Sequence, residues 1–538
     1  MKRTADVIVV GSGPSATAAA VPLVRAGLSV LMLDVGNEDT NYAPLIPESS
    51  FVEIRRQDPD QHRYFLGDEL DGVPFGRLRV GAQLTPPRQY LARDTDTLTP
   101  LRSESFHPTE SLALGGLGGG WGASSPQWDD RDLAGFPIRH ADLAPHYSAV
   151  AERIGLSGAH DDLALHFGAC PSLQPPLEMD AAAQSVMERY LLKRDVMQRA
   201  GLFMGHPRLA MLSRDTGDRR GSRYREMEFY ADSDRSVFRP RFTVEELQRQ
   251  PNFTYERPWL VHLFRESSGG DAVEVIAVER RTGETAAFTA RRLVLAAGTL
   301  GSARIVLRSL EAYERRIPLV ENPHIYIPCL NLSMLGAPAP RRRHSLTQAG
   351  LMFIPPDGAP PVYGELHVYR SLLLFKLAKE SFLPVPQARL ILRELMSAFV
   401  IAVIEHADYP TPDKSCLLRR GRPGEPDALE VSYRLETEAR LRQTAAEKQI
   451  RRLLRRLGCL PIGRIDPGYG ASIHYGGTLP MSNAERDLTV TPACRLRGTR
   501  AVFVADGSVF PHLPAKPLTF SLMANADRVG TIVSRELA

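Results

Sequence analysis

Residues 5–34 read ADVIVVGSGPSATAAAVPLVRAGLSVLMLD. A short apolar run, Val7 to Val10, meets a glycine turn, then a stretch with helical periodicity, then a second apolar run ending at Asp34. That succession predicts a β-α-β unit. Gly11 permits the tight turn after the first strand, and Gly13 lets the backbone approach a pyrophosphate at the positive end of the following helix. Pro14 and Ser15 join that turn as expected cofactor contacts, and Ala16 fills the third small position, where helix and strand pack closely. Asp34 stands 23 residues after Gly11, where a carboxylate accepts hydrogen bonds from an adenosine ribose. A plainer reading, glycines that serve packing alone, leaves the coincidence of strand, helix and acid unexplained. The stretch therefore predicts an α/β fold with a dinucleotide site, and by itself does not separate FAD from NAD.

The chain has 538 residues, beyond the usual single-domain range, which predicts two intertwined or successive domains with ample core. It is 43% hydrophobic and 24% charged, and its net charge of +4 is too small and too dispersed to predict nucleic-acid binding. The basic clusters RRRH (341–344) and QIRRLLRR (449–456) read as a solvated loop and helix face. Cysteines at 170, 329, 416, 459 and 494 form no C-x-x-C pair and no zinc pattern, so no metal is expected and a reducing compartment suits them. The N-terminal apolar stretch belongs to the fold and no apolar run has the length of a membrane span, so the expectation is a soluble, cytoplasmic protein.

From Asn37 to about Glu110 the chain is polar and punctuated by proline, which predicts long connections with few regular elements. LALGGLGGGWGASSPQW (112–128) is too rich in glycine for an independent helix or strand. Its interleaved Leu117, Trp121 and Trp128 predict a packed loop whose backbone at Gly115, Gly116, Gly120 and Gly122 lies against a planar or charged ligand, with the two tryptophans as walls. HADLAPHYSAVAERIGL (140–156) reads as a helix with a cap-like Asp142, and MDAAAQSVMERYLLKRDVMQRAG as another. Strands follow from about 252, including the one carrying Val261, an expected cofactor contact. LVLAAGT then runs through Ala297 and Gly298, both expected cofactor contacts, into a helix from Leu300 to Leu310, a second strand-to-helix junction of the dinucleotide type. The region 315–435 predicts an antiparallel sheet, with helices at 370–396 and 436–458 beside it.

Together these stretches resemble the glucose-methanol-choline (GMC) family of flavin oxidoreductases. DVIVVGSGPSA with Asp34 looks like the family's FAD motif, and GGLGGGWGASSPQW like the loop over the flavin in its pyranose-oxidase and cellobiose-dehydrogenase-like branches. LVLAAGTLGSARIVLRS resembles the A-G-x-x-x-S-P signature, with Ala303 where proline is usual. HYGGTLPM (474–481), VFVADGSVFP (502–511) and TFSLMANADRVG (519–530) resemble H-P-x-G-T-x-x-M, L-x-V-x-D-x-S-x-F-P and a helix entering T-x-x-A-x-A-x-R.

The resemblance implies a Rossmann-like FAD-binding domain of p-hydroxybenzoate-hydroxylase-like topology, assembled from 1–135, 251–312 and 461–538. It also implies an α+β substrate domain on an antiparallel sheet, from 136–250 and 313–460. It adds Asp506, Gly507, Pro517, Leu518 and Thr519 to the expected cofactor contacts. The implied reaction takes the proton of an alcohol to a base and its hydride to flavin N5. His474 matches the base. The family usually sets a second histidine or asparagine opposite, but a gapless match puts Pro517 there, a one-residue slip puts Lys516 there, and His512 lies five residues before Pro517. Pro517 suits the first turn of a helix whose positive end is directed at flavin N1 and O2. Gly120 precedes Trp121 where the pyranose-oxidase branch can carry a flavin-linked histidine, so the FAD is expected to be non-covalent. The substrate implied is a small-molecule alcohol, a hydroxyl of a sugar, cyclitol or specialised metabolite. The electron acceptor stays open among oxygen, quinone and a carrier protein. The missing second polar residue keeps a redox-neutral lyase with a structural flavin in play, and a flavin-dependent reductase behind it. An NAD-linked dehydrogenase leaves the C-terminal histidine frame without a purpose.

Overall fold

The computed structural model describes residues 3–68, 84–338, 340, 342–368 and 384–538. Val7 to Val10 are buried in strand β1 (Thr4–Val10), and Val30 to Leu33 form the buried strand β2 (Val30–Leu33). The connecting helix, Pro14–Arg25, buries an alanine-rich face that leaves room for close packing. β1 and β2 are parallel, and the sheet extends with β5 (Phe253–Glu256), β6 (Trp259–Glu266), β7 (Val273–Glu279), β8 (Thr285–Leu295) and β19 (Val502–Val504). The order is β5-β2-β1-β8-β7-β6, with β19 also on β8. Its core is parallel, and the β6-β7-β8 meander is antiparallel. The C-terminal helix Thr519–Leu537 lies on the helix Pro14–Arg25, so closely that a Cβ on Gly530 would stand 2.2 Å from the Ala19 carbonyl oxygen.

A second sheet has the order β17-β11-β14-β13-β12-β4 and is antiparallel throughout. Its strands are β4 (Leu202–Gly205), β11 (His324–Asn331), β12 (Ala349–Phe353), β13 (Val362–His367), β14 (Phe399–Glu405) and β17 (Cys459–Pro461). Side chains alternate across a strand, so each face has its own composition. Ile325, Ile327, Val400, Ala402, Ile404 and Leu366 share an apolar core with Val186, Tyr190, Ile450 and Leu454 of the helices Ala181–Leu192 and Thr437–Arg456. The register aligns Tyr326, Val403 and Glu365, and places Glu405 across from both His324 and Tyr363, so the opposite face is largely polar. A four-stranded sheet, β3 (Leu101–Arg102), β16 (Ala428–Tyr433), β15 (Lys414–Arg419) and β9 (Ile317–Pro318), lies apart from both. The pair β10 (Val320–Glu321) and β18 (Tyr475–Gly476) is separate again.

Local departures from the expected elements have local causes. Asp142 is not the cap of its helix: the helix is His140–Ile154, and the Asp142 carboxylate accepts from the Arg139 amide at 2.8 Å from inside the first turn. The helical stretch after Met179 breaks at Lys193 into Ala181–Leu192 and Arg194–Arg199. The connection after Asn37 contains a helix, Phe51–Gln57, with a Ser50/Glu53 capping box that the proline content obscured. Of the helix expected at 370–396, Val385–Leu395 is present and 370–383 lie outside the described residues. The C-terminal helix starts at Thr519, so Pro517 precedes its cap, Leu518, and is not in its first turn. All five cysteines are buried and free. Among the described residues no helix is long and apolar enough to cross a membrane, and no group of histidine, cysteine and acidic side chains is arranged to hold a metal.

Candidate active site

A cavity of about 280 Å³ joins the two strand-to-helix junctions to the C-terminal segment. Gly11 adopts φ +94°, and a Cβ there would stand 2.7 Å from the Ala296 carbonyl oxygen, so the two turns are locked edge to edge. Gly298, at φ +81°, caps the second helix, Thr299–Ser309, where a Cβ would point into open space. The helices starting at Pro14, Thr299 and Thr519 all bring their N-terminal residues to the cavity wall. Helix N-termini carry unpaired amides and partial positive charge, so this end of the cavity favours anionic groups.

At one end of the cavity stands Asp34, which accepts hydrogen bonds from the Ser12 and Tyr255 hydroxyls, the latter at 3.0 Å. Burial pushes its carboxyl up to about 6 despite those donors. Ser12 also accepts from the Gly115 amide at 2.9 Å, which ties the glycine-rich loop to the first turn. That loop is a short 3₁₀ turn, Gly116–Gly119, followed by Trp121, whose indole donates to the Phe238 carbonyl at 2.8 Å. At the other end stands His474. Its carbonyl accepts from the Asn322 amide at 3.2 Å, and its amide donates to the Ser472 hydroxyl at 3.3 Å. Ser472 in turn donates to the buried Glu321 carboxylate at 3.1 Å. The backbone is thus fixed while the ring is not: Nδ1 is buried with no hydrogen-bond partner. Burial holds the imidazole down at about 4, only partly offset by the charge of Glu365, so the ring is neutral near pH 7.

The stretch carrying His474 is knitted to the stretch carrying Asp506. The amides of Gly477, Leu479 and Met481 donate to the carbonyls of Gly507, Ser508 and Val509 at 3.1, 2.9 and 2.8 Å. Thr299 Oγ1 donates to the Tyr475 carbonyl at 2.7 Å, and Ser302 Oγ to Asp506 Oδ2 at 2.5 Å. Three segments far apart in sequence therefore meet at one junction.

Comparison with known proteins agrees with this assembly. The family description GMC oxidoreductase matches residues 423–526, the span that holds His474, Asp506 and the start of the last helix. The chain is also similar to 6'''-hydroxyparomomycin C oxidase of Streptomyces lividus, 23% identical over 563 aligned positions that cover 100% of this chain and 92% of the relative. The GMC oxidoreductase match thus falls on the C-terminal part of the chain, and the likeness to the oxidase runs along its whole length. Both matches support an oxidoreductase acting on CH–OH groups, and the GMC oxidoreductase family generally binds FAD.

Of the residues expected at the site, the cavity wall includes Gly11, Gly13, Pro14, Ser15, Asp34, Gly116, Gly120, Trp121, Gly122, Val261, Ala297, Gly298, His474, Asp506, Gly507, Leu518 and Thr519. Ala16 is buried in the helix behind it, and Gly115 and Pro517 stand just off it. Trp128 is no wall: it is fully buried, tilted against Phe510 with ring centroids 4.8 Å apart. Lys516 and His512 do not face His474. The Lys516 ammonium is buried among the Asp132 carboxylate at 2.5 Å, the Gln127 carbonyl at 3.3 Å and the His166 carbonyl. His512 stacks on Tyr409 and bonds through Nε2 to the Asp132 carbonyl oxygen at 3.0 Å. Lys516 Nζ and His512 Nε2 are thus engaged within the fold, away from His474. Sequence reasoning missed Ser12, whose place between the two motif glycines was a usable signal, and Tyr255, which had none.

Proposed function

We propose that this protein oxidises a hydroxyl of a polyhydroxylated small molecule, such as a sugar, cyclitol or specialised metabolite, with non-covalent FAD and His474 as the base. The observation that carries the reading is the His474 ring: it lines the cavity, is neutral, and leaves Nδ1 without a protein partner. A structural histidine is usually held by a ring nitrogen, as His512 is through Nε2. The relative's name, an oxidase of a hydroxylated compound, supports oxidation at a hydroxyl.

The cavity fits FAD. Asp34, already drawing donors from Ser12 and Tyr255, suits the ribose, and the bare turns at Gly13 and Gly298 suit the pyrophosphate. The start of the helix Thr519–Leu537 suits an electron-rich ring edge. Gly120 offers no side chain for a covalent link. We assign the cofactor domain to 1–135, 251–312 and 461–538, and the substrate domain to the remainder. When bound, FAD supplies the hydride acceptor. His474 takes the hydroxyl proton, since a neutral imidazole accepts one and hydride leaves an alkoxide more readily than an alcohol. Ser472 and Asn322 hold its backbone in place meanwhile.

A redox-neutral reaction is the second reading. Pro517 in the second polar position, with Lys516 and His512 turned into the fold, favours it. Anaerobic titration of the flavoprotein with polyols separates the two: bleaching of the flavin supports oxidation, and product without bleaching supports the alternative.

A further inference from the structure

The residue before His474 stands in a conformation that its side chain does not favour. Ile473 lines the cavity and has φ +61°, the left-handed region that β-branched residues rarely enter. Such a conformation persists only where the surroundings over-determine it. The turn before it, 470–472, begins with Gly470 at φ +89°, so close to the neighbouring chain that a Cβ would stand 2.5 Å from the His107 carbonyl carbon. Two donors of this turn converge on one buried side-chain oxygen: the Gly470 amide donates to Glu321 Oε2 at 2.7 Å, and the Ser472 hydroxyl at 3.1 Å. Ser472 Oγ then accepts from the His474 amide at 3.3 Å. Glu321 is itself fixed on β10, across from Tyr475 on β18, and its amide donates to Asp408 Oδ2 at 3.1 Å. Asp408 is held in turn by the Lys414 ammonium and by the Tyr433 hydroxyl, the latter at 2.6 Å.

We propose that Glu321 is the positioning residue for His474: by holding Gly470 and Ser472 with one oxygen it keeps Ile473 left-handed, and so sets where the imidazole stands. This rests on the reading of His474 as the base of alcohol oxidation, and adds to it what aims the base. The Asn322 amide fixes the His474 carbonyl, on one side of the Cα, and Glu321 fixes the amide, on the other, through Ser472. A residue held on both sides of its Cα keeps its side chain in one direction without a bond to the ring. Glu321 does this as a neutral acid. Its Oε1 is buried with no partner, and burial, with the Asp408 charge beside it, pushes the carboxyl up to about 8. Near pH 7 the proton therefore belongs on Oε1, which leaves Oε2 to accept. A glutamine presents the same acceptor, with its amide nitrogen in place of the protonated oxygen.

The test uses the FAD-loaded protein with isotope-labelled histidines, the His474 ring resonance being assigned by its loss in His474→Ala. Glu321→Ala should shift or broaden that resonance. It should also slow anaerobic flavin reduction by saturating glucose or myo-inositol by about tenfold to a hundredfold, at unchanged flavin content. Glu321→Gln should keep the resonance and the rate of the wild type. Glycine enters the left-handed region freely, so the loss on Glu321→Ala should be smaller in the background of Ile473→Gly than in the wild type. A His474 resonance unmoved by Glu321→Ala overturns the proposal, as does an equal loss with glutamine and alanine, or an equal loss in both backgrounds. A resonance that moves while neither probe bleaches the wild-type flavin supports the positioning and counts against oxidation of such hydroxyls. Bleaching with an unmoved resonance does the reverse. Where Glu321→Ala does not fold, Ser472→Ala cuts the same link to the His474 amide and is read by the same resonance.

Discussion

Two parts of the candidate site are built on different principles. Around Gly11, Gly13 and Gly298 the wall is backbone: turns, helix starts and glycines whose positive φ or bare surface the geometry requires. Around His474 the surroundings are groups from separate segments: Ser472 and Asn322 bond to its backbone, Glu321 on β10 bonds to Ser472, and Glu365 on β13 acts on its ring by charge. A backbone site tolerates little change in shape and much in chemistry. A side-chain site does the reverse.

The sharpest way to break that contrast is at Gly11. In Gly11→Val a Cβ must enter a left-handed conformation 2.7 Å from the Ala296 carbonyl oxygen, so little folded, FAD-retaining protein is expected in a purified preparation. At the opposite end, His474→Ala removes a ring that bonds to nothing in the protein through Nδ1. It should keep its melting temperature and its flavin while losing about 10²–10⁴-fold in the rate of flavin reduction. Lys516→Met reverses that pattern. It strands the buried Asp132 carboxylate, so it should cost about 3–5 kcal/mol in denaturant unfolding and leave the rate per bound flavin unchanged. Asp34→Asn should weaken FAD retention by about tenfold, read by dialysis against apoprotein, with kcat restored at saturating FAD.

The smallest effect concerns pH. With the His474 imidazole held down at about 4, the base stays deprotonated well below the ordinary histidine range. kcat/KM should therefore be flat through pH 6.5 and fall only toward pH 4. The stability linkage has the matching sign. The unfolded histidine takes a proton near pH 6.5 and the folded one only near 4, so this contribution is complete above about 6.5 and is lost as pH falls through that window. An acidic limb centred near 6.5 would show that the ring is solvated in the working enzyme.

The same contrast explains what the sequence disclosed. Gly11, Gly13, Asp34 and Gly298 were legible because backbone turns demand particular residues at fixed spacing, and His474 because it stands in a motif beside one. Strands β1, β2 and β8 of the seven-stranded sheet lie on the same apolar runs, while its strand number and order did not follow from them. Tyr255 and Glu365 were not legible. Each reaches its neighbours through strand pairing between distant segments, and a one-residue slip would turn those on the sheet to the other face. Lys516 misled for a related reason: its position in the chain is close to the site, but Asp132 and the His166 carbonyl draw its ammonium into the fold.

The most direct test is anaerobic mixing of the FAD-loaded protein with a panel of sugars and cyclitols, with flavin absorbance followed beside the same titration of His474→Ala. Bleaching by at least one alcohol, slowed by two orders of magnitude or more in the variant at unchanged flavin content, is the predicted result. Bleaching at equal rates in both proteins, or turnover of an alcohol while the flavin stays oxidised throughout anaerobic single-turnover, would contradict the account.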